Sequence, residues 1–173
     1  VIRLDKGDRL VDVEWVQEAD EVVLASSAAQ GIRFEVSEVR PSGARAGGVS
    51  GIRLDGDDVA VGAAVVRPEE MLLTITTEGL AKCSAFDELS SQRRGGKGVQ
   101  VAKLEGKERL TGLGTLSASG RFFPVTQRDA SKTVTARSVP TQGRATRGES
   151  IIALRDNDIV VGVVVQRDRI EEG

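Results

Sequence analysis

Residues 98–116 read GVQVAKLEGKERLTGLGTL, a pattern that occurs three times in the chain at intervals of 50 residues. The copy at 48–66 is GVSGIRLDGDDVAVGAAVV, and the copy at 148–166 is GESIIALRDNDIVVGVVVQ. Three sets of residues stay in register: Gly48, Gly98 and Gly148; Leu54, Leu104 and Leu154; Gly62, Gly112 and Gly162. A fixed period of this length indicates repeated units, each of which buries the same face against its neighbour.

The period divides the chain into repeats that follow one another without a gap. The full units are residues 21–70 (first unit), 71–120 (second unit) and 121–170 (third unit). Residues 1–20 match the second half of a unit, because the tetrapeptide IRLD at residues 2–5 occurs again at 52–55. We therefore expect about three and a half repeats in one domain over residues 1–173, and we expect the chain to be a piece of something longer.

Each unit is predicted to contain four short strands. In the second unit these are Leu72–Thr76, Ala81–Phe86, Val99–Leu104 and Arg109–Leu116. They are rich in β-branched and aliphatic residues and lie between turn-forming residues.

No segment has a sustained helical period. Four-stranded units at this period are typical of propeller blades, so we predict an all-β, propeller-like fold. A WD-type propeller is excluded because the only tryptophan, Trp15, is followed by Val16.

Composition is that of a globular protein. The 173 residues are 39% hydrophobic and 29% charged, which are ordinary values for a globular domain. No run of about 18 apolar residues occurs, so no membrane span is predicted. The single cysteine, Cys83, excludes an internal disulfide and fits a reducing compartment. We expect a bacterial-type cytoplasm.

Charge is distributed unevenly along the chain. Residues 1–90 contain 9 Lys and Arg against 17 Asp and Glu, whereas residues 91–173 contain 15 against 9. The segment 92–103 holds four cations and no acid, a composition that favours binding to a polyanion. The candidate contacts are Gln92, Arg93, Arg94, Gly95, Gly96, Lys97 and Gly98, followed by Lys103, by Arg137, Arg144 and Arg147 of the third unit, and by Arg45 of the first.

These candidates are unequal among the units. Residues 92–98 carry three cations, residues 142–148 carry two and residues 42–48 carry one. We expect the second unit to make the strongest contact and the first unit the weakest. Glycines beside cations let the backbone approach a phosphate, while arginine and lysine supply charged donors.

Catalytic chemistry is not predicted. The chain has no histidine, which removes the commonest general base and most zinc sites. The Gly95-Gly96-Lys97 run is not a phosphate-binding loop of the NTPase type, because Gly98 stands where Ser or Thr is needed. The acids at 55–58 recur at the same turn of every unit, and turn formation explains them better than calcium binding. We expect no cofactor and no metal.

A family resemblance arises from the second unit. The heptapeptide QRRGGKG at 92–98 lies within LLTITTEGLAKCSAFDELSSQRRGGKGVQVAKL at 72–104. Both resemble the C-terminal domain of the DNA gyrase A protein, which is marked by this seven-residue box, and the resemblance extends over essentially the whole chain. It implies a β-pinwheel in which neighbouring blades exchange hairpins, with a basic outer rim that wraps duplex DNA and supports negative supercoiling.

The resemblance also implies partners, namely double-stranded DNA, the remainder of gyrase A and the gyrase B protein. The chain has no tyrosine, the nucleophile of type IIA topoisomerases, so it would be an accessory domain. Family domains have about six blades. The chain would then be a fragment, a shortened relative, or half of a disc formed by a homodimer of partial pinwheels.

The position of the box departs from the family pattern. The box usually marks the first blade, whereas here one and a half units precede residues 92–98, so either the blade order is permuted or a box has arisen at a later blade. An intact box favours gyrase over topoisomerase IV, whose boxes are degenerate. The acidic first half and the short chain favour an alternative function, a propeller-like protein-interaction or regulatory module without wrapping activity.

Overall fold

The computed structural model describes residues 3–43, 46–128 and 132–166, where regular structure consists of strands and three short 3-10 turns. The strands are β1 (Glu21–Ser26), β2 (Gln30–Glu35), β3 (Ala60–Val65), β4 (Met71–Thr76), β5 (Leu80–Ala85), β6 (Val99–Gln100), β7 (Leu110–Leu116), β8 (Arg121–Thr126), β9 (Val134–Thr135), β10 (Glu149–Ser150) and β11 (Val160–Gln166). The 3-10 turns are Val36–Glu38, Phe86–Glu88 and Ala136–Ser138, one in each unit. The predicted all-β class is confirmed.

The first two sheets combine strands from neighbouring units. The first sheet has the order β3-β1-β2-β6, and the second has β7-β4-β5-β10. In both, three strands come from one unit and the fourth from the next unit along the chain. The third sheet has the order β11-β8-β9 in the described residues. This exchange of a strand between units is the pinwheel arrangement that the family resemblance implied.

Apolar residues fill the space between the units. Leu72 and Leu73 are adjacent in β4 and almost fully buried, yet they belong to different cores. Leu72 packs with Val23 of the first unit, and Leu73 packs with Phe122 of the third. A strand that is covered on both faces needs apolar residues at consecutive positions. No helix in the described ranges is suited to crossing a bilayer.

The predicted strand Val99–Leu104 was too long. The observed strand is Val99–Gln100, and the following residues Val101 and Ala102 are each 1% exposed. The chain bends at Ala102, so the strand does not continue through these residues. They instead enter the core between the first and second units.

The exchanged strands position the basic segments. Residues 92–98 directly precede β6, and residues 142–148 directly precede β10. Because β6 pairs with β2 and β10 pairs with β5, each basic segment lies over the unit before its own. We call these segments the second-unit turn (92–98) and the third-unit turn (142–148).

Candidate nucleic-acid interface

Backbone hydrogen bonds fix the second-unit turn on the first unit. The N–H of Gln92 donates to the carbonyl of Arg33 at 2.8 Å, and the N–H of Gly95 donates to the carbonyl of Gly51 at 2.6 Å. Both bonds connect residues more than 40 positions apart in the chain. The turn is therefore held at both sides before any ligand is present.

The last glycine of each turn allows close approach between units. Gly98 has φ +75°, and a Cβ at this position would overlap the carbonyl of Gly31. Gly148 has φ +90°, and its Cβ would lie 2.7 Å from the carbonyl oxygen of Ala81. Glycine is required here for both its conformation and its lack of a side chain.

The two adjacent arginines of the second-unit turn have different surroundings. The guanidinium of Arg94 donates to the carbonyl of Glu38 at 3.0 Å and to the carbonyl of Ser50 at 2.9 Å. Arg93 is exposed, and no side-chain hydrogen bond or ion pair involves it in the described part of the chain. Arg94 thus ties the turn to the first unit, whereas Arg93 is available to a ligand.

Two lysines of the predicted set, Lys97 and Lys103, form exposed ion pairs. The ammonium of Lys97 lies 3.4 Å from Asp55, and that of Lys103 lies 3.7 Å from Glu105. Hydrogen bonds from Arg53 and then from Lys97 lower the pKa of the Asp55 carboxyl. More than half of each of the four paired side chains is exposed. Such pairs contribute little free energy, so a phosphate can compete with either carboxylate.

The third-unit turn repeats the contacts of the second. The N–H of Arg144 donates to the carboxylate of Glu88 at 2.7 Å, and its guanidinium donates to the carbonyl of Gln100 at 2.8 Å. These acceptors align with Glu38 and Ser50 of the first unit. Arg144 therefore has the same tying role as Arg94.

Arg147 is the most strongly paired cation of the predicted set. Its guanidinium lies 3.1 Å from Glu78, 3.0 Å from Glu105 and 3.4 Å from Glu108. Glu108 is buried and also accepts a hydrogen bond from the Thr76 hydroxyl at 2.6 Å. Arg147 closes an ion-pair network between the second and third units.

The remaining predicted residues lie elsewhere. Arg137 is exposed on the 3-10 turn Ala136–Ser138 and is not part of a basic turn. Arg45 lies outside the described residues. The structure therefore places Lys103 at the third-unit turn, where its backbone N–H donates to the carbonyl of Thr146 at 2.9 Å. Arg144 and Arg147 belong to that same turn, whereas Arg137 lies outside both turns.

Comparison with known proteins agrees with this architecture. A family model described as "DNA gyrase C-terminal domain, beta-propeller" matches residues 20–67, 70–117 and 125–167. This chain belongs to the DNA gyrase C-terminal domain family. The predicted recognition is confirmed, and so is the prediction of an accessory domain, because the match is to the C-terminal domain of a longer protein.

Relatives of the gyrase C-terminal domain family include whole gyrase A proteins. The chain is 32% identical to the DNA gyrase A protein of Mycolicibacterium smegmatis, over 98% of this chain and 20% of that protein. It is also 32% identical to the DNA gyrase A protein of Kosmotoga olearia, over 98% of this chain and 21% of that protein. The chain thus spans about a fifth of the length of these relatives.

Solved structures in the gyrase C-terminal domain family and the related topoisomerase IV domain share the fold. The C-terminal domain of DNA topoisomerase IV aligns with a TM-score of 0.87 at 24% identity, over 95% of this chain and 52% of that one. The DNA gyrase A C-terminal domain aligns with a TM-score of 0.55 at 17% identity, over 92% of this chain and 71% of that one. At these identities the comparison supports the fold alone.

Sequence reasoning missed Lys82, a buried lysine that supports the third-unit turn. Lys82 is 1% exposed, and its ammonium donates to the Ser84 hydroxyl at 2.8 Å and to the carbonyls of Gly143 at 2.9 Å and Arg144 at 2.8 Å. Burial lowers the pKa of Lys82 to about 8. The available signal was its alignment with Ile32, an apolar core position of the first unit.

Sequence reasoning also missed Glu38 and Glu88. Their carboxylates accept the backbone N–H groups of Arg94 at 3.3 Å and Arg144 at 2.7 Å. Each is the last residue of a 3-10 turn in the preceding unit. The repetition of Glu38 as Glu88, 50 residues later, was the only signal available in the sequence.

Proposed function

We propose that this chain binds and wraps duplex DNA without sequence specificity, as the C-terminal module of a bacterial gyrase A protein that introduces negative supercoils. The observation that carries this proposal is the second-unit turn, which holds Arg93 exposed on a glycine-rich backbone fixed by hydrogen bonds to the first unit. Guanidinium groups bind phosphates through charge-assisted hydrogen bonds and need no base contact.

The repeat supports wrapping as well as binding. Smooth bending of 20–30 base pairs by 40–90° costs about 1–6 kcal/mol, so a single contact is insufficient. The basic turns at 92–98 and 142–148 are tied by equivalent bonds in successive units, because Arg94 donates to the carbonyl of Ser50 and Arg144 donates to that of Gln100. Contacts repeated by the architecture can follow a curved duplex, as histone surfaces do without reading bases.

Partners and location follow from the proposed function. The partners are double-stranded DNA, the remainder of gyrase A and the gyrase B protein, in the nucleoid of a bacterial cytoplasm. A second copy of this chain is a further candidate partner. Sedimentation of the free protein over a range of concentrations tests that pairing, because a homodimer dissociates on dilution whereas a monomer keeps one sedimentation coefficient.

The test measures the affinity for duplex DNA as a function of salt concentration in wild type and in variants of Arg93 and Arg94. If about six phosphates are neutralised, the logarithm of affinity should fall with the logarithm of salt concentration with a slope near −5. Arg93→Gln should make the slope shallower by about one and leave stability unchanged. A slope unaffected by Arg93→Gln would contradict Arg93 as a phosphate contact.

Arg94→Gln provides the matched control. It removes the same charge one residue away, but it also removes the donor to the carbonyls of Glu38 and Ser50. We expect it to lower the free energy of unfolding by about 1–3 kcal/mol, the range for loss of a partner of a polar group. Equal stability of the Arg93→Gln and Arg94→Gln proteins would contradict the structural role of Arg94.

A second function, a protein-interaction module without wrapping, is favoured by one observation. Three carboxylates surround Arg147, and Lys97 and Lys103 are also paired with acids. Neutralised cations attract DNA less than free ones. This alternative predicts weak duplex binding in which the salt slope is the same for wild type and Arg93→Gln.

A further inference from the structure

The third-unit turn has three carbonyl groups directed towards buried side chains. The Ser84 hydroxyl donates to the carbonyl of Gln142 at 2.8 Å. The Lys82 ammonium donates to the next two carbonyls, those of Gly143 at 2.9 Å and Arg144 at 2.8 Å. Both donors belong to β5 of the second unit and are 1% exposed. The interior of the protein therefore fixes the orientation of three successive peptide groups.

This orientation directs two N–H groups away from the interior. In a trans peptide the C=O and N–H groups point in opposite directions, and no peptide bond among the described residues is cis. Inward carbonyls at Gly143 and Arg144 thus turn the N–H groups of Arg144 and Ala145 outward. Successive N–H groups on one side of a turn form a concave site that binds anions.

A carboxylate already occupies part of this concave site. Oε2 of Glu88 accepts the N–H of Arg144 at 2.7 Å, and a Cβ on Gly143 would lie 3.5 Å from the same oxygen. Glu88 is exposed, so water and other solutes reach it and can displace it. The Glu88 oxygen shows that an anionic oxygen can bind at this position. The missing side chain of Gly143 leaves room for a ligand to approach.

We propose that the N–H groups of Arg144 and Ala145 form a binding site for a backbone phosphate of DNA, which the Glu88 carboxylate fills until a phosphodiester displaces it. The buried Lys82 ammonium orients the turn from the interior of the protein and places a positive charge next to Gly143. Gly143 occupies the position that Arg93 has in the second unit. The proposal rests on the proposed function and names the groups that contact phosphate.

The second-unit turn lacks the full arrangement. The N–H of Arg94 faces the Glu38 carboxylate at 3.3 Å, but the next N–H, that of Gly95, donates to the carbonyl of Gly51. Beneath this turn the position of Lys82 is taken by Ile32, whose Cδ1 would lie 3.3 Å from a Cβ on Gly96. The side chain of Ile32 has no charge and donates no hydrogen bond to the turn. The third-unit turn is therefore the better phosphate site, although it carries fewer cations than residues 92–98.

Two adjacent acids on the same 3-10 turn provide the test. Glu88→Gln removes the charge that fills the site, and Asp87→Asn removes the same charge one residue away, where the side chain is 99% exposed and lies 3.6 Å from Arg33. Anisotropy titrations with a labelled duplex of about 40 base pairs measure both proteins. Glu88→Gln should tighten binding about fivefold more than Asp87→Asn, as expected for one charge removed at contact distance.

A second readout identifies the groups. On addition of the same duplex, the amide resonances of Arg144 and Ala145 should shift further in Glu88→Gln than in wild type. Equal affinities of Glu88→Gln and Asp87→Asn, or amides that do not respond to a bound duplex, would overturn the site.

Failure of the proposed function is distinguishable from failure of the site. If neither wild type nor Glu88→Gln binds the duplex, the proposed function fails. Inorganic phosphate then replaces the duplex as the probe of Glu88→Gln. Shifts confined to the amides of Arg144 and Ala145 would support the anion site, and their absence would overturn it.

Discussion

Substitution of Gly98 by alanine tests how the second-unit turn is held. Gly98 has φ +75°, and an added Cβ would overlap the carbonyl oxygen of Gly31 and lie 2.6 Å from its carbon. These are backbone atoms of β2, so no side-chain rotation can relieve the contact. The two backbones must separate at the start of the exchanged strand β6.

The loss of stability combines two effects. A non-glycine residue in the left-handed region costs about 1–2 kcal/mol. Separation of the backbones also disrupts the β2–β6 pairing, in which Gly31 faces Val99 and Gln30 faces Gln100. Two hydrogen bonds at about 1 kcal/mol each add about 2 kcal/mol. We expect Gly98→Ala to lower the free energy of unfolding by about 3–4 kcal/mol.

Gly106→Ala separates these two effects. Gly106 has φ +58° and no atom within 4 Å of an added Cβ, so this variant experiences the conformational cost of about 1–2 kcal/mol without the overlap. Urea unfolding of both variants gives the comparison. Hydrogen exchange should also quicken at residues 92–98 in Gly98→Ala only. Equal losses of stability in the two variants would refute the close approach of the units.

The other predictions concern the buried pair Lys82 and Cys83. Burial lowers the pKa of Lys82 from 10.5 to about 8, so between these values the unfolded chain binds a proton at Lys82 that the folded chain has released, and the contribution of Lys82 to the free energy of unfolding rises with pH. Over this range wild type should gain up to about 3 kcal/mol relative to Lys82→Met, because one pKa unit corresponds to about 1.36 kcal/mol; parallel pH profiles in urea unfolding would contradict this. Burial also raises the pKa of the Cys83 thiol to about 11, so alkylation near pH 8 should be slow in the folded protein and fast in urea, and rapid labelling of folded protein would show that Cys83 is accessible.

Strands inside one unit were predictable because their pattern is local. The predicted strand Leu72–Thr76 is observed as Met71–Thr76, and Arg109–Leu116 is observed as Leu110–Leu116. The third predicted strand failed because its extent depends on another unit. β6 pairs with residues about 70 positions earlier in the chain, and the residues after it fill a core between two units.

The separate roles of Arg93 and Arg94 could not be predicted from the sequence. Both are arginines in the same acid-free segment, 92–103. The acceptors that bind Arg94 are backbone carbonyls 56 and 44 residues earlier. Every residue has a backbone carbonyl, so the residue types do not show which carbonyls lie near Arg94. The number of cations in a segment is therefore larger than the number of cations that are free to bind a phosphate.

The burial of Lys82 could not be predicted from the sequence either. Lys82 lies between Ala81 and Cys83, and nothing in this local sequence predicts that its ammonium is buried against carbonyls of the third-unit turn. Only the folded backbone supplies those acceptors. The family resemblance predicted the blades and the exchange, whereas the polar contacts that hold each basic turn required the structure.

The linking number of a closed plasmid tests whether this chain wraps DNA, as proposed. Relaxed, nicked plasmid is religated with saturating protein, the protein is removed, and the topoisomers are resolved on a gel. Wild type should shift the linking-number distribution in one direction, and Arg93→Gln should shift it less at the same protein concentration. A distribution identical to that of plasmid religated alone, under conditions where the protein is bound, would contradict wrapping.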